Sequence, residues 1–351
     1  MNRAPDARTP WRPTRFQQPW WLPGAHTQTL AGKLLRAKPS LPVSTERLDT
    51  PDGDFLDIDW MPETDREGPV VVVLHGLEGH TRRGYVIQMF RALAAQGLRA
   101  VGLNFRGCSG EVNRAARFYH SGETEDVALV LELIRGRFPS RPIMAVGFSL
   151  GGNVLLKLLG EQVEGGGVPI CAAVTISVPY DLAAGARALE RGVMARFYTR
   201  YFVRSLMSKV RAKREMLEGL VDLDQVHDGV TIRAFDELVT APLHGFAGAE
   251  DYYRRCSAKK FISRIRTPTL LLHSLNDPFL PPSAIPRTSI ADNPYLTLVV
   301  TGSGGHVGFV EGAAPWVPSF WAEREAAAFL RHQFGLLVTT GTSHGDPKRT
   351  P

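Results

Sequence analysis

The chain has 351 residues, of which 44% are hydrophobic, so it can bury a sizeable core and is not predominantly disordered. Lys and Arg outnumber Asp and Glu by 41 to 35, which gives a net charge of +6. This small excess favours contact with anionic surfaces, but it is far from the strongly basic composition of a nucleic-acid-binding domain. We therefore predict no nucleic-acid partner.

The cysteines and the hydropathy pattern narrow the class of protein further. Cys108, Cys171 and Cys256 are odd in number and share no CxxC spacing, which argues against a disulfide scaffold and against a zinc site. No stretch approaches the roughly 18 consecutive apolar residues of a membrane-spanning helix. Residues 1–45 begin with a Pro- and Arg-rich stretch that lacks a secretory hydrophobic segment, and they are predicted to form an exposed arm. We expect a soluble, cytoplasmic protein.

In chain order, the first predicted element is a hairpin, and alternating strands and helices follow it. Residues 46–62 alternate apolar and polar side chains around the turn signal Pro51-Asp52-Gly53. The β-branched run at 70–74 predicts a buried strand, and apolar residues at helical spacing from 86 to 93 predict a helix after it. The same unit recurs twice, with strands at 98–105 and 142–148 and helices at 127–134 and 153–161.

Later strands and a closing helix complete a predicted domain over residues 46–335. The strands are predicted at 171–178, 269–274 and 296–301, the helix at 320–334, and a solvated tail at 336–351. Strands that are apolar along their whole length and alternate with helices indicate an α/β fold whose mainly parallel sheet is flanked by helices.

One interval, between residues 178 and 269, is far longer than the roughly 4 to 6 residues of a simple connection. We predict a helical cap insertion at about 181–265. Residues 182–214 contain nine basic side chains and one acid, with Val193, Met194, Phe197 and Tyr201 interleaved. This amphipathic segment is either a lid whose apolar face packs on the core or a surface that makes peripheral contact with anionic membranes.

The sequence Gly147-Phe148-Ser149-Leu150-Gly151 matches GxSxG, directly after a predicted strand and before a predicted helix. That context is typical of a nucleophilic serine on a strained turn. A serine hydroxyl needs a base and a group that orients the base. Asp277 follows the strand at 269–274 and His306 follows the strand at 296–301, so both are expected at the carboxyl edge of the sheet with Ser149.

Acyl transfer also requires a site for the transition-state oxyanion, which backbone N–H groups can provide. The turn His75-Gly76-Leu77-Glu78-Gly79 follows the strand at 70–74 and can present the N–H of Leu77. Leu150, directly after Ser149, can provide the second N–H. The predicted site is therefore Ser149, Asp277 and His306 with the amides of Leu77 and Leu150, and it requires neither a metal nor an organic cofactor.

Six ordered motifs give the chain a specific resemblance. VVLHGLEG, LNFRGCSG, YHSGETEDV, VGFSLGGN, SLNDPF and GGHVGF together resemble the α/β hydrolase superfamily, and specifically its YheT-like branch. The segments at 235–258 and 22–30 (LPGAHTQTL) resemble that branch too, so the likeness spans about residues 20–335. It implies a serine hydrolase of carboxylic esters, acting on short-chain esters or on monoacylglycerol and phospholipid substrates.

Alternatives stay open at this point. An acyltransferase would use the same triad with an alcohol in place of water, and a non-catalytic lipid-binding or scaffold protein could keep the fold. Among other residues, His26, Gln28 and Thr29 are predicted to pack the N-terminal arm, and Asp126 to cap the helix at 127–134. Cys108, in a loop near the expected site, has no assigned base and is predicted to be a bystander.

Overall fold

An eight-stranded sheet forms the centre of the protein, and the computed structural model describes residues 11–36, 41–63, 68–165 and 167–342. Its strands, β1 to β8 in chain order, are Ser44–Asp49, Phe55–Trp60, Val70–Leu74, Arg99–Asn104, Ile143–Phe148, Ala172–Ile176, Thr269–Ser274 and Leu296–Thr301. They lie in the order β1-β2-β4-β3-β5-β6-β7-β8. Strand β2 is antiparallel to β1 and β4, and all other neighbours are parallel. The predicted mainly parallel α/β fold is confirmed.

Helices cover both faces of this sheet. In chain order, α1 to α12 are Ala25–Leu34, Gly84–Ala95, Glu125–Arg137, Leu150–Gly165, Leu182–Ala188, Val193–Ala212, Arg214–Leu217, Ile232–Phe235, Ala241–Leu243, Ala249–Cys256, Arg287–Ala291 and Trp321–Thr342. A π-helical turn, Asp236–Thr240, joins α8 to α9, and 3-10 turns lie at Ala258–Lys260, Ile262–Arg264 and Pro282–Ala284. A short antiparallel pair, β9 (Val310–Glu311) and β10 (Ser319–Phe320), precedes α12.

Strand β3 shows why the central strands are apolar along their whole length. Val70, Val72 and Leu74 pack into the hydrophobic cluster beneath α3 and α4. Val71 and Val73 point to the other face, into the cluster beneath α2 and α12. Because side chains alternate across a strand and both faces are covered, every position of β3 must be apolar.

The predicted strands agree with the observed ones to within two residues at each end, and the predicted hairpin is β1 paired with β2. The closing helix α12 differs more, since it continues to Thr342 instead of ending at 334. It therefore includes the first part of the predicted tail, because Gly335 alone does not end a helix. Residues 343–351 of that tail lie outside the described residues.

The N-terminal segment lies against the body of the protein, so the prediction of an exposed arm is wrong for residues 11–36. Trp11 packs edge-on against Phe329, and Phe16 packs against Trp321. The indole N–H of Trp321 donates to the backbone oxygen of Thr14 at 3.1 Å. These aromatic contacts attach the segment to α12.

The interval between β6 and β7, where the sequence predicts a helical insertion at about 181–265, contains helices α5 to α10. The sequence left open which face of α6, the longest helix of the insertion, is packed. Val203, Met207 and Val210 are buried in a separate hydrophobic cluster within the insertion. Val193 and Phe197, which face the core in the lid alternative, are exposed beside the arginines, because the packed face lies on the other side of the helix.

Asp126 is not a helix cap, which corrects the sequence prediction. Thr124 occupies the N-cap position of α3, and both carboxylate oxygens of Asp126 accept from Arg106, at 2.6 and 2.8 Å. The Arg106 side chain is buried and also donates to Asp52 at 2.8 Å and to Asp54 at 3.0 Å. Arg106 thus joins the β1–β2 hairpin to α3.

Replacing this guanidinium should strongly destabilise the fold. We expect Arg106→Met to lower the free energy of unfolding by about 3 to 5 kcal/mol, since it leaves buried carboxylates without a cation. Arg114→Met is the control, because the ion pair of Arg114 with Asp49 is exposed and should contribute less than about 1 kcal/mol. Urea denaturation at pH 7 measures both changes, and equal losses would contradict the assignment.

Candidate active site

Ser149 lies on the turn that joins β5 to α4. Its φ is +49°, in the left-handed region that L-residues rarely adopt, as the motif predicted. Its N–H donates to the oxygen of Ile176 at 2.8 Å. A Cβ at Gly147 would lie 2.6 Å from the Cα of Gly152, and one at Gly151 would lie 2.5 Å from the oxygen of His75. The turn therefore requires glycine on both sides of the serine.

The structure brings the three predicted side chains together. Ser149 Oγ lies 2.9 Å from His306 Nε2, and His306 Nδ1 lies 2.7 Å from Asp277 Oδ2. Asp277 Oδ1 accepts the N–H of Phe279 at 2.8 Å, and the aspartate side chain is fully buried. An ionised Asp277 fixes the proton of the neutral imidazole on Nδ1, which leaves Nε2 as the acceptor for the serine hydroxyl.

The loop that carries His306 is held by the N-terminal helix α1. Thr29 Oγ1 accepts the N–H of His306 at 2.9 Å, although 277 residues separate the two in sequence. The Gln28 amide donates to the oxygen of Val310 and accepts from its N–H, at 3.1 and 2.9 Å. The predicted packing role of Gln28 and Thr29 is confirmed, but no local pattern could show that they support His306. The likeness of LPGAHTQTL to the hydrolase branch was the only signal in the sequence.

The turn after β3 brings Leu77 close to the serine. A Cβ at Gly76 would lie 3.2 Å from the Cβ of Ser149, so the two turns almost touch. His75 Nε2 accepts the N–H of Phe105 at 3.1 Å, and Nδ1 donates to the oxygen of Gly76 at 2.8 Å. Burial lowers the pKa of His75 to about 3, so this histidine is neutral and acts as a structural brace.

The amides of Leu77 and Leu150 flank the serine. Leu150 is the first residue of α4, where N–H groups have no partner within the helix. Among the residues that the structure describes, neither amide donates to another group. By contrast, the N–H of Gly76 donates to the hydroxyl of Tyr85 at 3.0 Å. Two unused donors, one of them at a helix N-terminus, can bind an oxygen that develops negative charge.

A cavity of about 610 Å³ opens onto the serine. Its walls are mostly apolar and come from α1, the insertion and the loop after β7, with Leu30, Leu182, Ala186, Phe202, Leu206 and Phe279 among them. Cys108 is buried and not among the cavity residues, and burial raises the pKa of its thiol to about 11. A thiol of that pKa is a poor nucleophile at neutral pH, which agrees with the prediction that Cys108 takes no part in the chemistry.

Three further side chains, those of His120, Glu123 and His244, have ligand atoms within 4.8 Å of one another. The sequence did not reveal this cluster, because His244 is distant in the chain. Arg117 donates to the Glu123 carboxylate, and the N–H of Gly122 donates to His120 Nδ1 at 3.0 Å. Because Nδ1 of His120 accepts this N–H, the neutral ring carries its own proton on Nε2. Neither ring nitrogen of His120 then has a free lone pair for a metal ion. We therefore interpret the cluster as a structural one.

Comparison with known proteins shows the family of the chain. The model of the alpha/beta hydrolase fold family matches residues 69–313. The chain belongs to this family. It is 40% identical over 309 residues to the "Putative esterase YheT" of Escherichia coli (strain K12), covering 87% of this chain and 89% of that protein. The predicted resemblance to the superfamily and its YheT-like branch is confirmed.

More distant relatives and solved structures extend the comparison. Human "Phospholipase ABHD3" is 32% identical over 332 residues, 93% of this chain and 78% of that protein. The "Monoacylglycerol lipase" of Saccharomyces cerevisiae is 34% identical over 253 residues, 70% of this chain and 56% of that protein. The structure of 2,6-dihydroxy-pseudo-oxynicotine hydrolase, at 17% identity, has a TM-score of 0.52 over 88% of this chain and 72% of that one. At that identity it shows the fold alone.

The support that α1 gives to His306 can be tested with a matched pair of variants. We expect Thr29→Val to slow labelling of Ser149 by a fluorophosphonate probe about tenfold, because a lost hydrogen bond of roughly 1 to 2 kcal/mol would loosen the His306 loop. Thr27→Val, on the exposed side of the same helix, should label within about twofold of the unmodified protein, since its hydroxyl contacts only local backbone oxygens. Equal labelling rates for the two variants would contradict the role of Thr29.

Proposed function

We propose that the protein hydrolyses carboxylic esters through an acyl-enzyme formed on Ser149. The hydrogen-bond chain from Ser149 through His306 to Asp277 carries this proposal, because it supplies a nucleophile, a base and a group that orients the base. The two unused amides of Leu77 and Leu150 support it further. The reaction uses only side chains and backbone groups, and it requires no cofactor.

In the acylation step, Ser149 Oγ attacks the ester carbonyl carbon while its proton moves to His306 Nε2. The carbonyl oxygen becomes an oxyanion, which accepts hydrogen bonds from the N–H groups of Leu77 and Leu150. Asp277 keeps the Nδ1 proton in place and stabilises the imidazolium. The tetrahedral intermediate then collapses, the bond to the leaving oxygen breaks, and His306 returns the proton to the departing alcohol.

Deacylation repeats these steps with water in place of the serine. His306 Nε2 takes a proton from the water as its oxygen attacks the acyl carbon, and the same two amides bind the second oxyanion. Collapse of this intermediate releases the carboxylic acid, and the proton returns to Ser149 Oγ. An alcohol that replaced water at this step would make the reaction an acyl transfer.

Lipid esters, such as monoacylglycerols, fit the cavity best. Its volume of about 610 Å³ and its mostly apolar walls suit a hydrocarbon chain better than a small polar acid. Two relatives are named as a phospholipase and a monoacylglycerol lipase, which supports the same substrate class. Short-chain esters should react too, but they would leave most of the apolar wall uncovered.

A panel of p-nitrophenyl esters of increasing acyl length tests mechanism and substrate class together. We expect Ser149→Ala to lose activity by about 10⁶-fold and the exposed Ser283→Ala control to keep it. For the unmodified protein, kcat/KM should rise roughly fourfold per added methylene, since each contributes about 0.8 kcal/mol, until the cavity is filled.

Three outcomes of the panel would change the proposal. Equal rates for Ser149→Ala and the unmodified protein would contradict the mechanism. A rate that did not change from acetyl to octanoyl would contradict a lipid substrate. Formation of a new ester when glycerol is added would assign acyl transfer instead of hydrolysis.

We also propose that the insertion contacts anionic membranes through α6. Val193, Phe197 and Tyr201 are 81%, 56% and 40% exposed and follow one another at four-residue spacing. Leu34 of α1 is 79% exposed, and Lys33 Nζ lies 4.0 Å above the Tyr201 ring, so α1 continues the same surface. Phe197, Tyr201 and Leu34 also line the cavity, which would therefore face the lipid.

The charges beside these apolar side chains favour an anionic partner. Arg196, Arg200 and Arg204 are exposed along the same side of α6. None of them forms an ion pair within the described part of the chain. Basic side chains that flank exposed apolar ones can reach phosphate groups while the apolar ones enter the acyl region. In the same part of the chain, no helix is both long enough and apolar enough to cross a bilayer.

Vesicle co-sedimentation tests this contact. We expect binding to phosphatidylcholine vesicles that contain phosphatidylglycerol, and weak binding to phosphatidylcholine alone. The triple variant Arg196→Gln, Arg200→Gln, Arg204→Gln should bind about a hundredfold less tightly, because each basic residue contributes about 1 kcal/mol. A control with the same charge change at the exposed Lys260, Arg266 and Arg331 should bind nearly as well as the unmodified protein. Binding that did not depend on anionic lipid would contradict the proposal.

A further inference from the structure

Glu78 is a buried acid in the turn that carries Leu77. Its side chain is only 3% exposed, and its φ is +52° although it is not a glycine. Non-glycine residues keep that conformation only where the surrounding structure enforces it. The N–H of Glu78 donates to the hydroxyl of Tyr119 at 2.7 Å, so this N–H already has a partner, whereas the N–H of Leu77 does not.

The carboxylate of Glu78 is bound by donors from two parts of the chain. Oε1 accepts from Lys209 Nζ at 2.7 Å and from the Tyr119 hydroxyl at 2.9 Å. Oε2 accepts from the Ser205 hydroxyl at 2.5 Å. Ser205 and Lys209 are one turn apart on α6, whereas Tyr119 lies in the loop between β4 and α3. We call Glu78, Tyr119, Ser205 and Lys209 the Glu78 cluster.

Charge makes this attachment specific. A buried carboxylate requires a cation, and Lys209, itself mostly buried, is the cation that touches it. Arg83, which is also nearby, donates to the backbone oxygen of Glu78 at 3.3 Å and not to its carboxylate. The strained backbone of the turn is therefore tied to α6 of the insertion by one ion pair and one hydroxyl.

We propose that Glu78 and Lys209 are positioning residues for ester hydrolysis, which hold the turn so that the Leu77 N–H meets the oxyanion. This inference rests on the proposed function. The Leu77 N–H belongs to the Gly76–Leu77 peptide unit, which directly precedes the Leu77–Glu78 unit, so a rotation of the Glu78 backbone shifts the turn that carries this N–H. Preorganised donors contribute to catalysis only when they are fixed before charge develops. The cap helix α6 is thus part of the oxyanion site as well as a cover over the cavity.

The test uses Glu78→Leu, Lys209→Met and the double variant in the full chain. Lys213→Met is the matched control, because Lys213 is a buried lysine at the end of α6 that bonds Asn113 and Ala115 instead of the turn. For each protein, kcat and KM are measured on p-nitrophenyl butyrate. The inhibition constant of a trifluoromethyl ketone with the same acyl chain is measured as well, since its serine adduct places an oxyanion in the site. Thermal unfolding checks that each protein is folded.

We expect kcat to fall about tenfold in each single variant, with KM within about twofold. The inhibition constant of the ketone should rise by the same factor as kcat/KM falls. The double variant should lose no more than a single variant, because the two side chains act as one unit. The double variant leaves no unpaired buried charge, so its kcat and inhibition constant test the proposal even if a single variant does not fold.

A purely structural role would give a different pattern. The proposal is overturned if Glu78 and Lys209 variants behave like Lys213→Met, with lower stability or higher KM but unchanged kcat and ketone binding. The proposal is also overturned if the loss of kcat in the double variant equals the combined losses of the two single variants. The proposed function itself would instead be refuted if the unmodified protein hydrolysed no ester, or if Ser149→Ala hydrolysed esters at the same rate.

Discussion

The close approach of the β5–α4 turn to the turn after β3 determines the geometry of the whole site. Gly147, Gly151 and Gly76 make it possible, because a Cβ on any of them would press against backbone atoms or against Ser149 itself. The approach leaves Ser149 in a left-handed conformation, directly before the N–H of Leu150 at the start of α4. It also brings the turn that carries Leu77 next to Ser149. A larger residue at any of these glycines would separate Ser149 from the proposed anion site.

The parallel sheet supplies the remaining groups. Strands β5, β7 and β8 run in one direction, so the loops that follow them emerge at a common edge. Asp277 and His306 lie in two of these loops, and the histidine completes the chain of hydrogen bonds to Ser149. The loop of His306 is not rigid by its own sequence, since it is rich in glycine. Helix α1, folded from the opposite end of the chain, provides the hydrogen bonds that fix it.

Burial gives similar residue types different roles around this site. His75 and His306 both lie within the hydrogen-bonded network, but His75 is fully enclosed and its pKa falls to about 3. His75 therefore braces a turn, while His306, next to the buried Asp277, is suited to receive a proton. The same contrast applies to the cations of α6. Lys209 is enclosed and pairs with Glu78, whereas Arg196 and Arg200 on the outer side meet solvent.

Much of this organisation could be predicted from the sequence because it depends on local patterns. Apolar runs specify the buried strands, and the GxSxG turn and the residues after β7 and β8 specify Ser149, Asp277 and His306. The misassignments have a common cause, which is that the partner lies far away in the chain. Asp126 has the residue type and position of a helix cap, but Arg106 takes its carboxylate. For Val193 and Phe197 the sequence allowed a core-facing or a surface position, and only the fold shows that the other side of α6 turns inward.

The sequence by itself therefore determined the fold class, the order of the strands along the chain and the identity of the three central side chains, because periodicity and turn chemistry are short-range properties. Only the tertiary structure decided what holds them in place. The contacts of Thr29 with His306 and of Lys209 with Glu78 join residues separated by 277 and 131 positions. Such contacts form only when packing of the whole chain brings distant segments together, and no local spacing encodes them.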